Sequence, residues 1–341
     1  MRVSDFDYTL PQELIAQQPV EPRDAARLLL LDRRGEHTRP EEHLHVRDLP
    51  DLLRPGDLLV ANRSRVLPAR VLGRLAGGGR AEFLLLRQHK PGQWEALARP
   101  ARRLRPGDVV TVTRDLAVRV SAAFDNGIRH IQVESNAANA EPDTALLAAG
   151  SVPLPPYIRG WVGDPERYQT IFADTHGSAA APTAGLHFTR ELLDRLAGRG
   201  VNWATVVLHV GVDTFRPITH DDPSAHRMHR EWYTVPPNVV RQVADTRTTG
   251  GRVVAVGTTV VRALESWAAT GEPEGWTDLF IVPGHHFGVV DGLLTNFHLP
   301  RSTLLMLVSA FAGRERTLAA YAGATRERYR FYSFGDCMLI M

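Results

Sequence analysis

The stretch that decides the fold is residues 69–134, ARVLGRLAGGGRAEFLLLRQHKPGQWEALARPARRLRPGDVVTVTRDLAVRVSAAFDNGIRHIQVE. Six short runs rich in Val, Leu, Ile and aromatic residues alternate here with turn sequences such as Pro91-Gly92, Pro106-Gly107 and Asn126-Gly127. The runs are Ala69–Leu75, Ala81–Arg87, Gln93–Ala98, Asp108–Thr113, Ala117–Ala123 and Ile128–Val133. Short strands at this spacing predict a small antiparallel β-barrel or sandwich.

The same stretch is the basic part of the chain. It holds eleven Arg residues and Lys90, the one lysine of the protein, against six acidic residues, which gives a net charge of +6. The whole chain has a net charge of +2, so the remaining residues sum to −4. The preference for Arg over Lys fits a codon bias, but the asymmetry also allows a surface that binds the phosphates of a nucleic acid.

Both flanks of this stretch alternate between strand and helix patterns, which is typical of a layered α/β domain. The predicted strands are Arg27–Leu31, Leu58–Ala61, Trp203–Val210, Arg252–Gly257, Asp278–Val282 and Gly292–Asn296. The predicted helices are Arg190–Ala197, Pro237–Thr246, Val260–Ala268, Thr303–Phe311 and Arg314–Arg328. We therefore predict an α/β domain, layered or barrel-like, built from residues 1–68 and 152–341. A small antiparallel β-barrel domain at residues 69–151 interrupts it.

Composition excludes several classes of protein. Of the 341 residues, 43% are hydrophobic and 23% are charged, which excludes disorder along the whole chain. Cys337 is the single cysteine, so an internal disulfide and a cysteine-based zinc site are excluded. The start of the sequence lacks an apolar leader, and the longest apolar run, Leu304–Ala312, is far shorter than the roughly 20 residues of a membrane span. We expect a cytoplasmic protein without membrane contact.

Polar residues follow directly after predicted strands, where α/β folds place their sites. His209 lies in the strand Trp203–Val210 near its end, and Gly257-Thr258-Thr259 connects a strand to a helix. The first N–H groups of that helix can hold an anion, although an ordinary helix start explains the Gly-Thr-Thr sequence equally well. The spacing of Arg262 and Glu265 indicates a surface ion pair unless their side of the helix lines a cleft.

Histidines concentrate in the predicted loops and strand ends of the carboxyl-terminal half. They are His187, His209, His226, His229, His285, His286 and His298. A metal site is one interpretation, but the sequence has no His-Glu-x-x-His motif and no cysteine pair, and we predict no bound metal. The motifs of serine hydrolases, Walker loops and dinucleotide-binding folds are absent as well. Cys337 lies in an apolar tail and is predicted to be buried filler rather than a nucleophile.

Several longer strings are spread over the whole chain. They are Asn62–Arg70 (NRSRVLPAR), Ala181–Thr189 (APTAGLHFT), Leu208–Gly211 (LHVG), Thr214–Pro217 (TFRP), Met228–Glu231 (MHRE), Val256–Ser266 (VGTTVVRALES) and Leu294–Phe311 (LTNFHLPRSTLLMLVSAF). Taken in this order, they resemble the S-adenosylmethionine:tRNA ribosyltransferase-isomerase family of queuosine biosynthesis. Asp213 stands where members often carry Gly, and Cys337 stands where a small residue is usual, so neither is assigned a role.

The resemblance implies a fold and a reaction. The fold is an α/β domain interrupted by a small β-barrel, in agreement with the pattern. The reaction moves the ribosyl group of S-adenosylmethionine onto the aminomethyl nitrogen of 7-aminomethyl-7-deazaguanine at the wobble position of a tRNA. The sugar becomes an epoxycyclopentanediol, which gives epoxyqueuosine, and adenine and methionine leave. S-adenosylmethionine is then a co-substrate, and we expect a monomer with no other cofactor, no metal and no obligatory protein partner.

The implied chemistry suggests roles for particular residues. The sulfonium acidifies the adjacent C5′ protons, so a base of moderate pKa suffices to remove one. The candidate bases are His298, His229, His187 and His209, of which we favour His298, and the acidic partners are Glu231 and Glu265. Arg262 suits the methionine carboxylate or a phosphate. The other predicted substrate contacts are Thr183, Gly257, Thr258, Thr259 and Asn296, and the predicted contacts to tRNA phosphates are Arg102, Arg103 and Arg105.

Two other functions are compatible with parts of the sequence. The loop histidines allow a metal-dependent hydrolase, which predicts stoichiometric zinc in the purified protein. The basic stretch allows a non-catalytic RNA-binding protein, which predicts tRNA binding without consumption of S-adenosylmethionine. The polar strings lie mainly outside the basic stretch, which favours an enzyme that handles its small substrate on a separate surface.

Overall fold

The polypeptide divides into two units, one of which is formed by both ends of the chain. The computed structural model describes residues 1–33, 41–124, 127–136, 141–211, 220–226, 228 and 230–341. The α/β unit comprises Met1–Arg65, Pro156–Thr175 and Ala181–Met341, and the barrel unit comprises Val66–Pro155 and His176–Ala180.

The described residues form strands β1 to β17 and helices α1 to α7. The strands are β1 (Arg27–Leu31), β2 (Glu41–His45), β3 (Leu58–Asn62), β4 (Ser64–Val66), β5 (Arg70–Leu75), β6 (Arg80–Lys90), β7 (Gln93–Arg99), β8 (Val109–Thr113), β9 (Leu116–Ala123), β10 (Ile128–Ser135), β11 (Thr175–Ser178), β12 (Asn202–Leu208), β13 (Glu231–Thr234), β14 (Val253–Val256), β15 (Glu274–Thr277), β16 (Gly292–Asn296) and β17 (Cys337–Ile340). The helices are α1 (Leu49–Leu52), α2 (Pro142–Ala148), α3 (Arg190–Gly198), α4 (Pro237–Thr248), α5 (Thr258–Thr270), α6 (Thr303–Ala312) and α7 (Arg314–Arg326).

The barrel unit is a closed antiparallel barrel. Its strands follow the order β10-β7-β6-β5-β8-β9 and close on themselves through the pairing of β9 with β10. Side chains alternate between the two faces of each strand. On β7, for example, Trp94, Ala96 and Ala98 are buried in the barrel core, whereas Gln93 and Arg99 are exposed. The predicted small antiparallel β-barrel is confirmed.

The α/β unit is built on a mixed sheet. Among the described residues, nine strands follow the order β15-β13-β12-β3-β14-β16-β17-β1-β2. The four central strands, β12, β3, β14 and β16, are parallel to their neighbours in this group. Strands β3, β14 and β16 are buried at every position, as expected for parallel strands that are covered on both faces. The predicted α/β architecture is confirmed.

This sheet differs from the prediction at one edge and in its interior. The prediction of a strand at Asp278–Val282 is wrong. The observed strand is β15, which ends at Thr277, and the chain leaves the sheet after it. There the Leu279 N–H donates to Thr277 Oγ1 and the Leu279 carbonyl accepts from Arg262, so side chains replace the ladder partners. The apolar tail around Cys337 forms β17, which lies between β16 and β1 in the sheet. No helix within the described residues is both long and apolar enough to cross a membrane.

Candidate active site

Four parallel strands bring their carboxyl ends to one edge of the sheet. Strand β3 ends at Asn62, β12 at Leu208, β14 at Val256 and β16 at Asn296. The chain places β12 on one side of β3 and then crosses to place β14 on the other side. Such a reversal of strand order leaves a crevice at the carboxyl ends, and open α/β sheets bind their ligands there. We call this edge, with the residues that follow its four strands, the carboxyl edge.

Asn62 ties three strands together at this edge. Its Oδ1 accepts from the N–H groups of Ser64 at 2.9 Å and Leu208 at 3.3 Å, and its Nδ2 donates to the Leu208 carbonyl at 2.9 Å. The same Nδ2 lies 3.4 Å from Thr259 Oγ1, across the point where the strand order reverses. Asn62 was not predicted as a site residue, although an Asn that ends the apolar run Leu58–Ala61 is the signal that identifies it.

Gly257 starts helix α5 in a conformation that favours glycine. Its φ is +96°, and a Cβ placed on it would lie 3.4 Å from the Cβ of Ala184. No side chain caps the helix, so the first N–H groups, from Thr258 onward, have no partner within the helix. These groups and the helix dipole make this end of α5 suitable for an anion or a carbonyl oxygen.

Arg262 forms a buried ion pair with Glu231, not a surface pair with Glu265. Only 6% of each of these two residues is exposed, and Arg262 Nη1 contacts Glu231 Oε2. The other oxygen of Glu231 accepts from the Gly211 N–H at 2.8 Å, and Arg262 Nε donates to the Leu279 carbonyl at 3.1 Å. The surface interpretation is wrong because Arg262 faces β13 and the chain that follows β15, where Glu231 and the Leu279 carbonyl cover it. Through Glu231 the pair also holds the backbone of Gly211, shortly after β12.

Glu265 has a full set of partners of its own. Its Oε2 accepts from the Gly288 N–H at 2.7 Å, and its Oε1 accepts from the N–H groups of Val289 and Val290 at 3.0 Å each. With 2% of the residue exposed, this carboxylate is buried beneath the loop that precedes β16. The geometry therefore favours a loop anchor over a direct substrate contact.

His187 and Asn296 are neighbours in the buried part of the edge. His187 ends the short 3-10 segment Thr183–His187, which packs against β16, and Thr183 is half-buried at its start. Burial lowers the pKa of His187 to about 4; the neighbouring Asn296 amide opposes this change and nearby Arg side chains add to it. Asn296 Nδ2 donates to the Tyr332 carbonyl at 3.0 Å, which fixes the amide. The His187 imidazole is therefore neutral at neutral pH.

His298 is held by its backbone between two tyrosines. Its N–H donates to the Tyr321 hydroxyl at 3.0 Å, and the Tyr8 hydroxyl donates to its carbonyl at 2.5 Å. Its Nε2 lies 2.9 Å from Thr295 Oγ1. Burial lowers the pKa of His298 to about 3, so the ring is neutral in the free protein. Tyr8 and Tyr321 were not predicted as partners of His298, because one of them lies far from it along the chain and no local pattern marks the other.

Several buried polar atoms at or near this edge lack a hydrogen-bond partner. In the part of the chain that the structure describes, buried atoms without a hydrogen-bond partner include His187 Nε2, His209 Nδ1, Arg262 Nη2 and Asn296 Oδ1. Burial also lowers the pKa of His209. Buried polar groups are normally paired, so such a group marks a site that a ligand or water completes. His229, also predicted as a base, lies outside the described residues.

The loop histidines of the carboxyl-terminal half do not form a metal-ligand set within the described residues. The one group of three closely spaced potential ligands found there is His89, Glu95 and His130, in the barrel unit. Cys337 is fully buried, as predicted, and burial raises the pKa of its thiol. Across the described residues, this geometry supports neither a loop-histidine metal centre nor a thiolate nucleophile.

Three exposed arginines mark the barrel unit. Arg102, Arg103 and Arg105 surround Leu104, which is fully buried in the barrel core. The buried Arg129 donates to the Leu104 carbonyl at 2.7 Å and to the Ala101 carbonyl at 2.5 Å. Leu104 and the Arg129 hydrogen bonds therefore fix the backbone of this segment, and the three arginine side chains project into solvent.

Comparison with known proteins identifies the family. The family model described as a queuosine biosynthesis protein matches residues 3–340. S-adenosylmethionine:tRNA ribosyltransferase-isomerases from Symbiobacterium thermophilum and Thermotoga maritima are 52% and 49% identical, over 100% of this chain and 100% of each relative. A crystal structure of the S-adenosylmethionine tRNA ribosyltransferase from Thermotoga maritima matches 99% of this chain and 100% of its own, with 40% identity and a TM-score of 0.57. The chain belongs to the queuosine biosynthesis family, and the predicted S-adenosylmethionine:tRNA ribosyltransferase-isomerase activity is confirmed.

Proposed function

We propose that the carboxyl edge binds S-adenosylmethionine and transfers its ribosyl group to the aminomethyl nitrogen of 7-aminomethyl-7-deazaguanine in the wobble position of a tRNA. The products are epoxyqueuosine-tRNA, adenine and methionine. The observation that supports this location is the set of four unpartnered buried polar atoms, on His187, His209, Arg262 and Asn296. A ligand with a carboxylate, two ribose hydroxyls and a purine ring offers donors and acceptors to such a set.

The histidines of this edge are neutral, which is the form that a base requires. Because burial lowers the pKa of His187, His209 and His298, all three rings are neutral in the free enzyme at neutral pH. A neutral imidazole takes the C5′ proton beside the sulfonium, and the resulting imidazolium can return a proton to the departing adenine. Among the three, we assign the C5′ base to His298, because its backbone is held at both the N–H and the carbonyl and its aim is therefore fixed.

The remaining predicted residues bind the substrate. Arg262 Nη2 is the donor for the methionine carboxylate, and the first N–H groups of α5, at Thr258 and Thr259, receive a second acceptor group. Asn296 and Thr183 bind hydroxyls or a base edge. Glu231 and Glu265 do not contact the substrate. Glu231 positions Arg262, and Glu265 positions the Gly288–Val290 loop.

The barrel unit contributes contacts to the tRNA. Arg102, Arg103 and Arg105 are exposed on an anchored segment and lie in the stretch of net charge +6, so they are suited to phosphate oxygens. We expect the enzyme to work in the cytoplasm as a monomer, with S-adenosylmethionine as co-substrate and without a further cofactor or protein partner.

One assay tests the proposal. Purified protein is incubated with S-adenosylmethionine and tRNA that carries 7-aminomethyl-7-deazaguanine, and adenine release is measured together with the mass of the modified nucleoside. We expect both signals in equal amounts, and their loss in Asn296→Leu, which removes a polar side chain of the edge. An unmodified nucleoside despite tight tRNA binding would favour a non-catalytic RNA-binding protein instead.

A further inference from the structure

A second constellation of potential ligands lies on the outer wall of the barrel unit. His89 on β6, Glu95 on β7 and His130 on β10 each offer one ligand atom, and these atoms all lie within 4.8 Å of one another. Their side chains are only partly covered, so an ion has access from solvent. The reaction above makes no use of any of the three residues.

The barrel brings these residues together through its strand register. Glu95 and His130 are direct cross-strand partners in the pairing of β7 with β10. His89 is the extra residue at a register shift between Gln88 and Lys90 in the pairing of β6 with β7. A β-bulge changes the direction in which a side chain points, and here it turns His89 toward the other two.

The spacing is close to that of a coordination sphere. His89 Nε2 lies 3.6 Å from Glu95 Oε2, and the rings of His89 and His130 are 4.8 Å apart between centroids. Ligands at about 2.0–2.1 Å from a tetrahedral zinc ion are about 3.4 Å from one another, so small side-chain rotations complete the geometry. The Phe124 ring packs 4.6 Å from the His130 ring and limits the rotation of that imidazole.

We propose that His89, Glu95 and His130 bind one Zn²⁺ ion on the barrel unit. Two imidazoles and a carboxylate favour a borderline divalent ion over Mg²⁺ or Ca²⁺, which prefer a shell of oxygen atoms. Three protein ligands leave a fourth position for water or an anionic group. The ion links the end of β6 to β7 and β10, and its role is separate from the chemistry of the carboxyl edge.

Zinc titration of the full-length protein tests this site. The protein is stripped with a chelator, and uptake of zinc chloride is measured at slightly alkaline pH in competition with a chelating dye. We expect one ion per chain, and an affinity that falls at least about 100-fold in His130→Ala and in Glu95→Gln, since even removal of an outer-shell partner costs about 10–100-fold. The matched control is His176→Ala, an exposed histidine of the same unit, which should keep the affinity of the wild type.

The charge around the site provides an independent arm of the test. Arg87 is the residue opposite Glu95 on β6. A cation at that position opposes a second positive charge, so Arg87→Gln should bind zinc more tightly. Far-UV circular dichroism establishes that each variant is folded; if His130→Ala is not, the near-isosteric Glu95→Gln decides. Absence of zinc uptake by the wild type, or stoichiometric uptake of unchanged affinity in Glu95→Gln, would overturn the proposal.

Discussion

The strands of the barrel unit could be predicted from the sequence more completely than those of the α/β unit. In the barrel, the predicted run Gln93–Ala98 is the observed strand Gln93–Arg99, and the other five runs agree with their strands to within a few residues. In the α/β unit, β1 and the four parallel strands of the carboxyl edge were found, but β2, β13, β15 and β17 were not. The barrel strands pair mainly with near neighbours through turns that the sequence displays, whereas β17 pairs with β1 from the far end of the chain.

The two units also carry their polar groups differently. Those of the carboxyl edge are buried and include unpartnered atoms, whereas the arginines around Leu104 in the barrel are exposed. A buried polar group acts through geometry and protonation, while an exposed charge acts through screened attraction. Substitutions at the edge should therefore change kcat or stability, and substitutions on the barrel should change the KM for tRNA.

The largest effect is expected at His298. If its neutral ring takes the C5′ proton, His298→Asn should lower kcat by about 10²–10⁴-fold. S-adenosylmethionine should still bind, because the tyrosine contacts involve only the backbone of this residue. Hydrogen exchange at C5′ in deuterated solvent, read by mass spectrometry, should stop in the variant and continue in His45→Asn, an exposed histidine of the same unit. Exchange at the wild-type rate in His298→Asn would remove this residue from the role of base.

The buried ion pair comes next. Arg262→Met leaves the Glu231 carboxylate buried without its partner, which should cost about 3–5 kcal/mol of unfolding free energy. Urea unfolding measures the decrease, and adding Glu231→Gln should restore much of the stability without restoring activity. The matched control is Arg119→Met, which breaks the exposed pair with Glu134 in the barrel and should change stability little. Equal decreases in the two variants would contradict a special role for burial.

The sequence predicted which residues lie at the site more completely than it predicted which residues they contact. Gly257, Thr258 and Asn296 lie where strand ends were expected, because a polar residue after an apolar strand is visible locally. Arg262 and Glu265 were paired with each other on helix spacing, yet they bind Glu231 and the Gly288–Val290 loop. Such partners depend on which strands become neighbours in the sheet, and nothing in the local pattern encodes that choice.

His187 should make stability depend on pH in a defined window. Its pKa is about 4 in the folded protein and about 6.5 in an unfolded chain, so between these values the unfolded state binds more protons. Its contribution, up to about 3 kcal/mol, is present above about pH 6.5 and is lost as the pH falls toward 4. Urea unfolding at several pH values should show a shallower slope for His187→Gln than for the wild type. In His176→Gln, which changes an exposed ring, the slope should stay as it is.

The smallest effect on activity is expected from substitutions of the exposed arginines of the barrel unit. These substitutions also test the contrast between the two units most sharply. Changing Arg102, Arg103 and Arg105 to Gln removes exposed charge while Leu104 and the Arg129 hydrogen bonds that anchor the segment stay in place. The KM for tRNA should rise about 10-fold, and its dependence on salt should become shallower by about one unit of logarithmic slope for each phosphate that the variant no longer neutralises. The kcat and the KM for S-adenosylmethionine should hardly change, because these side chains do not belong to the carboxyl edge.

The matched control is Arg74→Gln together with Arg80→Gln, two other arginines of the barrel unit. An equal rise in the KM for tRNA in both sets would mean that the net charge of the barrel, rather than this anchored cluster, attracts the tRNA.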